Sequence, residues 1–583
     1  MALEIETPAR TRTIAALWRN ASSRDPARTA YLAQREGEWV PVSVGEAARR
    51  VDDIANGLLS LGVGKGDAFA ILASTTLEWC LLDFALGLIG AIGAPIYANS
   101  SPRDCAYVID HAEAVGVLVE DGEQLAKVEE TRAQLPGLLH VLTYADLPDL
   151  EARGRAHAAE HPEALDEATS QIDEEDLFTY IYTSGTTGPP KACMIRHRNY
   201  YEMAAAVDDI PSFHEQTDTM LLYLPLAHNF GRLMHLEAAY VGYTVAFCPD
   251  PLHVAEAMLA VRPTIFPSVP RVYEKVHSAV LAKLAEAHGP KKAIGRWALD
   301  VGRDVSRLRQ RGRHVPPLLM LKHRIADRLV YSKVKERFGG RLRLAISGGA
   351  PLAPEIIRFF HAIDILVLEG YGLTECTTAC SVNRPERYKF GTVGPPLPRF
   401  DAKLAADGEL LIHSETVFAG YYKDEEGTRA VLDENGWLRT GDIAEIDDEG
   451  FITITDRKKD ILVTAGGKNV APQNLENELK ASKFVSQALV VGDRRPHVSA
   501  LITLDQDEIE KWRKGGGEDV EALIQGIVDE VNLQHSRFEQ VKRFAILPRD
   551  FSADEGEITP TLKLKRRVVQ EHFAVEIERL YSS

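Results

Sequence analysis

Ten consecutive residues, Tyr182-Thr183-Ser184-Gly185-Thr186-Thr187-Gly188-Pro189-Pro190-Lys191, have the makings of a polyphosphate cradle. They leave an apolar run, Leu177 to Tyr182, that reads as a buried strand. Glycines let backbone approach an anion closely, hydroxyls and N–H groups donate to phosphate oxygens, and Lys191 adds a positive charge. The string is not a Walker loop, because Pro189 and Pro190 separate Gly188 from Lys191 where that motif needs Gly-Lys-Ser/Thr. A bare Ser/Thr/Gly run would be an ordinary surface loop, whereas the full string points to phosphate.

Two further strings lie at expected strand ends, where open α/β sheets bind ligands. Gly349-Ala350-Pro351 follows the apolar run Leu342 to Ile346, and Gly370-Tyr371-Gly372-Leu373-Thr374-Glu375 follows Ile365 to Leu368. Tyr371 offers a π-face for a base, Thr374 a short donor for an anion, and Glu375 a hard oxygen ligand for a hard cation. Taken singly, Thr374 is a helix cap and Glu375 a first-turn dipole partner. Farther on, Leu438-Arg439-Thr440-Gly441-Asp442 carries a carboxylate suited to bidentate acceptance. Alone, Thr-Gly-Asp reads as an ordinary turn.

In this order the strings resemble the acyl-adenylate-forming superfamily, which includes acyl-CoA synthetases, peptide-synthetase adenylation domains and firefly luciferase. The resemblance implies that Thr183, Ser184, Gly185, Thr186, Thr187, Gly188 and Lys191 grip phosphates and that Gly349, Ala350 and Pro351 lie against adenine. By the same likeness Tyr371, flanked by Gly370 and Gly372, stacks on the base, Thr374 meets the α-phosphate and Glu375 holds Mg²⁺. Asp442 is the expected ribose acceptor, Arg457 a nucleotide contact and Lys459 the pivot of a small rotating domain.

The segment Leu224 to Arg232 resembles the family stretch beside the acid site, with His228 and Gly348 at the acyl pocket; His228 equally reads as a satisfied core histidine. Gly466, Gly467 and Lys468 are the implied coenzyme A loop. Near the C-terminus, Gly556 to Arg566 resembles the segment whose lysine reaches the reacting carboxylate during adenylation. Leu562 stands where most of the family has glycine, so Lys563 is the expected lysine and Lys565 the alternative. The form of this tail, and of Pro267 to Lys275, resembles the long-chain fatty acyl-CoA synthetase branch. The implied activity is ATP-dependent ligation of a fatty acid to coenzyme A through an acyl-adenylate. A medium-chain or other carboxylic acid ligase, or a fatty acyl-AMP ligase, shares these motifs.

These residues need a scaffold, and the pattern supplies one. With 583 residues the chain exceeds a single core. Apolar runs alternating with helical stretches predict α/β layers, and period-two segments such as Glu409 to His413 and Phe451 to Thr455 predict a β-rich lobe after residue 400. A charged junction, Asp456 to Asp460, precedes a hairpin expected over Gln487–Val491 and Val498–Leu504. The fold class is therefore α/β, with a large multi-lobed N-terminal domain over residues 1–456 and a small mobile α+β C-terminal domain over 457–583.

The formal charge of −18 argues against nucleic acid as the main partner, and six cysteines without a CxxC pair argue against a metal knuckle or disulfide framework. The first residues lack the apolar core of a secretory signal, so a cytoplasmic protein, monomer or homodimer, is expected. Trp79 to Ala98 carries Asp83, three glycines and Pro95, which predicts a buried helix running into a strand and not a membrane span. Residues 291–343 hold sixteen Lys and Arg against four acids. That surplus is either a solvated helix face or an attraction for phosphates or anionic lipid, and hence a peripheral membrane contact.

Overall fold

The apolar runs become strands of two largely parallel sheets, and the helical stretches between them form the layers that cover both. The computed structural model describes residues 11–183, 189–552, 555–558 and 564–582. One sheet has six strands in the spatial order His140–Thr143, Gly116–Val119, Ala68–Leu72, Ile92–Ile96, Leu177–Thr183 and Lys191–Arg196, the last antiparallel to its neighbour. The other has eight: Ser381–Val382, Val367–Tyr371, Leu344–Ser347, Ile265–Ser268, Thr219–Leu222, Thr244–Phe247, Thr29–Arg35 and Glu38–Ser43. Its two edge strands are antiparallel and the pairs between them parallel.

Helix Leu77–Ile89 shows how local chemistry sets an element. The Thr76 hydroxyl accepts the Trp79 N–H at its start, and Gly90, at φ 70°, ends it in a left-handed turn that a side chain would resist. All its residues except Glu78 are buried, and it runs into strand Ile92–Ile96, as the sequence predicts. Among the described residues no helix is long and apolar enough to cross a membrane.

That helix carries Asp83 into the apolar layer, and helix Asn229–Val241 carries Arg232; both side chains are fully buried. Arg232 Nε donates to Asp83 Oδ2 at 3.0 Å, and its Nη1 donates to Thr179 Oγ1 at 2.6 Å. The Thr179 hydroxyl in turn donates to the Gly93 carbonyl at 2.6 Å. One cation thus fastens two helices to two neighbouring strands. Burial pushes the Asp83 carboxyl up from its ordinary range and Arg232 opposes that push.

Two sequence expectations shift. The strand expected over Leu342–Ile346 spans Leu344–Ser347, and that expected over Ile365–Leu368 spans Val367–Tyr371. In the second case the Ile365 N–H closes the preceding helix on the Phe360 carbonyl at 2.9 Å, and Asp364 turns at φ 61°. Ile365 is buried as a helix terminator, so its apolarity does not mark sheet pairing.

The β-rich lobe is a four-stranded antiparallel sheet, Asp401–Leu404, Glu409–His413, Leu438–Ile446 and Ile452–Arg457. Beyond it a separate apolar core gathers Leu475, Leu479, Val490, Ile502 and Val528. It is built on the antiparallel hairpin Val485–Val491 and Val498–Leu504, with Val541–Ile546 parallel to the second strand. Large α/β body, β-rich lobe and small α+β unit match the fold read from sequence.

Replacing Arg232 by Met leaves Asp83 buried without its cation and is expected to cost about 3–5 kcal/mol. Adding Asp83→Leu should restore most of that loss. Urea denaturation followed by tryptophan fluorescence measures both, and equal stability of parent and Arg232→Met would refute the assignment.

Candidate active site

Four of the predicted segments leave the carboxyl ends of parallel strands, as ligand sites in open sheets require. Gly348 to Pro351 follows Leu344–Ser347, Gly372 to Glu375 follows Val367–Tyr371, and Leu224 to Arg232 follows Thr219–Leu222. The fourth leaves Leu177–Thr183, which pairs antiparallel with Lys191–Arg196 so that Thr183 faces Lys191. Ser184, Gly185, Thr186, Thr187 and Gly188 lie outside the described residues. Their flanks are held: the Thr183 hydroxyl donates to the Lys191 carbonyl at 3.4 Å, and the Tyr107 hydroxyl to the Pro190 carbonyl at 2.9 Å.

Lys191 and Glu375 belong to different sheets, and Tyr421 joins them. The Tyr421 hydroxyl donates to Glu375 Oε1 at 2.6 Å, and Lys191 Nζ sits 4.7 Å from the centroid of the same ring. Lys191 also pairs with Asp424 at 2.7 Å. Gly427 leaves room for that pair, since a Cβ there would fall 2.6 Å from Lys191 Nζ and 2.2 Å from Asp424 Oδ2. The acid-pocket segment closes in as well: Asn229 donates from its side chain to the Thr374 carbonyl at 3.3 Å.

A second cluster stands four residues before Glu375. The Tyr371 hydroxyl donates to Asp442 Oδ2, and Arg457 Nε lies 3.4 Å from Asp442 Oδ1. Asp442 and Arg457 face each other across neighbouring strands, so strand register places them. Thr440-Gly441-Asp442 is therefore strand and not the turn its composition suggests; the Thr440 hydroxyl donates to the Leu410 carbonyl at 2.8 Å inside the sheet. Gly372 is obligatory here, because a Cβ would lie 1.7 Å from the Thr378 carbonyl oxygen.

Gly349, Ala350 and Pro351 are exposed, with Gly349 at φ 83°, and Gly348 is buried against the Phe230 ring. His228 is half-buried and caps helix Asn229–Val241, its Nδ1 accepting the Phe230 N–H at 3.1 Å, so it is not a deep core histidine. Lys459 is exposed in the turn after strand Ile452–Arg457. Gly466, Gly467 and Lys468 form the exposed tip between strands Leu462–Val463 and Asn469–Val470. Lys563 lies outside the described residues; the Ile558–Leu564 bridge brackets its segment, and Lys565 leads into helix Arg566–His572.

Comparison with known proteins places the chain in a family. The family model described as AMP-binding enzyme matches residues 17–422, and the AMP-binding enzyme C-terminal domain matches 459–583. The chain belongs to the AMP-binding enzyme family. It is 38% identical to the long-chain-fatty-acid–CoA ligase FadD15 of Mycobacterium bovis, over 96% of this chain and 95% of that protein. It is 31% identical to the long-chain-fatty-acid–CoA ligase ACSBG2 of Xenopus laevis, over 94% and 81%. Among solved structures, the adenylation domain of a carboxylate reductase from Mycobacterium chelonae superposes with a TM-score of 0.77 at 23% identity, covering 98% of this chain and 91% of that one.

Sequence reading missed three residues of this cluster: Tyr421, Asp424 and Glu369. Glu369 is buried on strand Val367–Tyr371 and accepts the Leu352 N–H at 3.0 Å, which ties the Gly349–Pro351 turn to the strand bearing Tyr371. Its signal was an acid inside an apolar run. Burial pushes this carboxyl up to about 7. A raised carboxyl pKa favours folding below the unfolded value, and that advantage is lost as pH rises through the folded one. Glu369→Gln keeps the acceptor and removes the charge. The variant should match the parent near pH 4.5 and gain on the order of 3 kcal/mol above pH 7. Thermal melts across that window measure the difference, and parallel curves would refute it.

Proposed function

We propose that this chain is an ATP-dependent long-chain fatty acid–CoA ligase that forms an acyl-adenylate and then an acyl-CoA. The observation that carries the reading is the convergence of Lys191 and Glu375 on Tyr421, beside the Tyr371, Asp442 and Arg457 cluster. Attack of a carboxylate on the α-phosphate of ATP brings two anions together, so positive charge must already be in place. Lys191 and Arg457 hold such charge now, each beside a carboxylate that a nucleotide can displace or share.

The remaining residues divide the substrate between them. Asp442 accepts from Tyr371 and faces Arg457, so it stands as an ionised acceptor for ribose hydroxyls, while the anchored Tyr371 ring offers its face to adenine. Thr183 to Gly188 and Lys191 take the terminal phosphates, Thr374 the α-phosphate, and Gly349 to Pro351 border the base. Glu375 suits Mg²⁺, being a hard oxygen donor whose other oxygen Tyr421 fixes. Bound there, the ion supplies neutralisation of polyphosphate charge. His228 and Gly348 border the acyl carboxylate. Near-full-length kinship with long-chain ligases supports the acid class.

Thioester formation needs the coenzyme A thiol at the carbonyl that Lys563 serves during adenylation. We assign residues 457–583 to the small domain as the charged junction suggests, with Arg457 and Lys458 still bonded to the β-rich lobe, and place the pivot at exposed Lys459. Rotation there exchanges the Lys563 segment for the Gly466-Gly467-Lys468 tip, whose glycines let pantetheine pass. The setting is cytoplasmic, with peripheral membrane contact through residues 291–343.

Exchange of labelled pyrophosphate into ATP should require a fatty acid, and adding coenzyme A should yield acyl-CoA, most rapidly with long chains. No exchange with any acid would overturn the reading, and adenylate without thioester would mark an acyl-AMP ligase. Lys191→Ala and Glu375→Gln should each slow adenylation on the order of 10²–10³-fold. Lys459→Pro should keep adenylation near the parent rate and slow the thioester step; equal losses in both would sink the pivot assignment.

A further inference from the structure

Most exposed leucines on a protein surface stand singly and need no explanation. Helix Pro317–Ala326 is different. Its inner face is packed: His323 and Ala326 are buried, and the following Tyr331 donates its hydroxyl to the Ala298 carbonyl of helix Pro290–Gln310. On the other face Leu318, Leu321 and Ile325 recur at i, i+3 and i+7, and they are 66%, 54% and 46% exposed. Leu329, 44% exposed, continues the ridge. A continuous apolar stripe of this kind marks an interaction surface.

Its charge surroundings identify the partner. Arg311, Arg313, Lys322, Arg324, Arg328 and Lys333 are exposed and have no acidic partner within ion-pair distance among the described residues. Of the other cations in the basic segment, Arg303 pairs with Asp300, Arg307 with Asp304, Arg309 with Asp364, Lys335 with Asp327 and Arg343 with Asp218, while Lys291, Lys292, Arg296, Arg337 and Arg341 show no such pair among the described residues. Six exposed, unpaired cations thus flank this apolar ridge along the chain. A second copy of the chain docked about a two-fold axis would bring the same cations face to face. An anionic bilayer satisfies both features, taking the ridge into its acyl boundary and the cations among its headgroups.

We propose that helix Pro317–Ala326 and the turn after it dock this protein onto anionic phospholipid membranes, with Leu318, Leu321, Ile325 and Leu329 inserted and the flanking cations on the headgroups. The inference deepens the proposed ligase reading, since a long-chain acid partitions into bilayers and the docked protein meets it there. The basic charge alone would give a loose electrostatic association; the ridge makes the contact an insertion with a defined orientation.

The test is co-sedimentation of the full chain with vesicles, without ATP or fatty acid, so that failure of docking and failure of ligase activity are read separately. Vesicles of phosphatidylcholine mixed with phosphatidylglycerol should capture the protein, and those of phosphatidylcholine alone should capture it far less. Leu321→Ser with Ile325→Ser should weaken capture about tenfold or more. Arg324→Glu with Arg328→Glu should remove the preference for anionic lipid and its salt sensitivity. Both variants alter only exposed side chains, and activity on a freely dissolved acid should stay at the parent level. Capture that is absent in the parent, or unchanged in both variants, would overturn the proposal. So would a parent dimer in sedimentation velocity that the Leu321→Ser, Ile325→Ser variant breaks, since the ridge would then face a second copy.

Discussion

The site depends on a short strap, Phe418 to Asp424, that stitches two independent sheets to one another. Its backbone pairs with the edge strand of the six-stranded sheet: Met194 N–H to the Gly420 carbonyl at 2.9 Å, Ala419 N–H to Met194 at 2.8 Å, Tyr422 N–H to Ala192 at 2.9 Å. At its start the Phe418 N–H bonds the Glu375 carbonyl, at the loop end of the eight-stranded sheet, at 2.9 Å. The strap covers a strand edge that would otherwise be open to other chains. In the same act it sets the distance between Lys191, carried by one sheet, and Glu375, carried by the other. Without it each sheet would hold half of the proposed phosphate site.

Charge within the site is balanced before any nucleotide arrives, and the strengths of the pairs decide what a nucleotide can do. Lys191 and Asp424 are 45% and 34% exposed, so their pairing is worth little and the lysine can turn to a phosphate at small cost. Asp442 is far more buried than Arg457. Its carboxylate is fixed while the arginine remains adjustable, which suits the ribose-acceptor role proposed for it beside a mobile cation. The fully buried Arg232 and Asp83 sit at the other extreme: they cannot separate without leaving a bare charge in an apolar layer, and they serve as a rivet.

What sequence disclosed follows from where the determining interactions lie. Strand runs, the buried helix at Leu77–Ile89 and the hairpin Val485–Val491 with Val498–Leu504 are local patterns of apolarity, and they were legible. The motif residues Tyr371, Glu375 and Asp442 were legible by resemblance. Tyr421 was not, because Gly420-Tyr421-Tyr422-Lys423 has no periodicity and acquires its role by pairing with a strand more than 200 positions earlier. Asp83 showed as a charge in an apolar stretch, but nothing in that stretch names Arg232 as its partner. Thr440-Gly441-Asp442 has turn composition and keeps one left-handed residue, Gly441 at φ 74°, as a bulge opposite Glu409–Leu411, yet it is carried within a strand because Arg439, Asp442 and Ile443 on either side of the bulge pair with neighbouring strands.

Rigidity stops abruptly where movement is proposed. Lys458 is held to the β-rich lobe by ion pairs to Asp407 at 2.6 Å and Glu409 at 3.0 Å, and its N–H bonds the Gly441 carbonyl at 2.9 Å. The next residue, Lys459, is exposed. Past it, the Asp460 and Ile461 N–H groups close a local turn on the Arg457 carbonyl at 2.9 and 3.1 Å, while the side-chain contacts that the described residues of the small unit make back to the large one are long: Gln473 N–H to Asp456 at 3.4 Å, and Arg271 to Asp505 at 3.9 Å. Long, partly solvated contacts of this kind add little stability, so displacing the small unit forfeits little, whereas displacing the strap would break four short backbone bonds in a packed layer. A chain that had to present two different loops to one carbonyl in turn would be expected to divide its stability in this way, fixed up to Lys458 and loose from Lys459 onward.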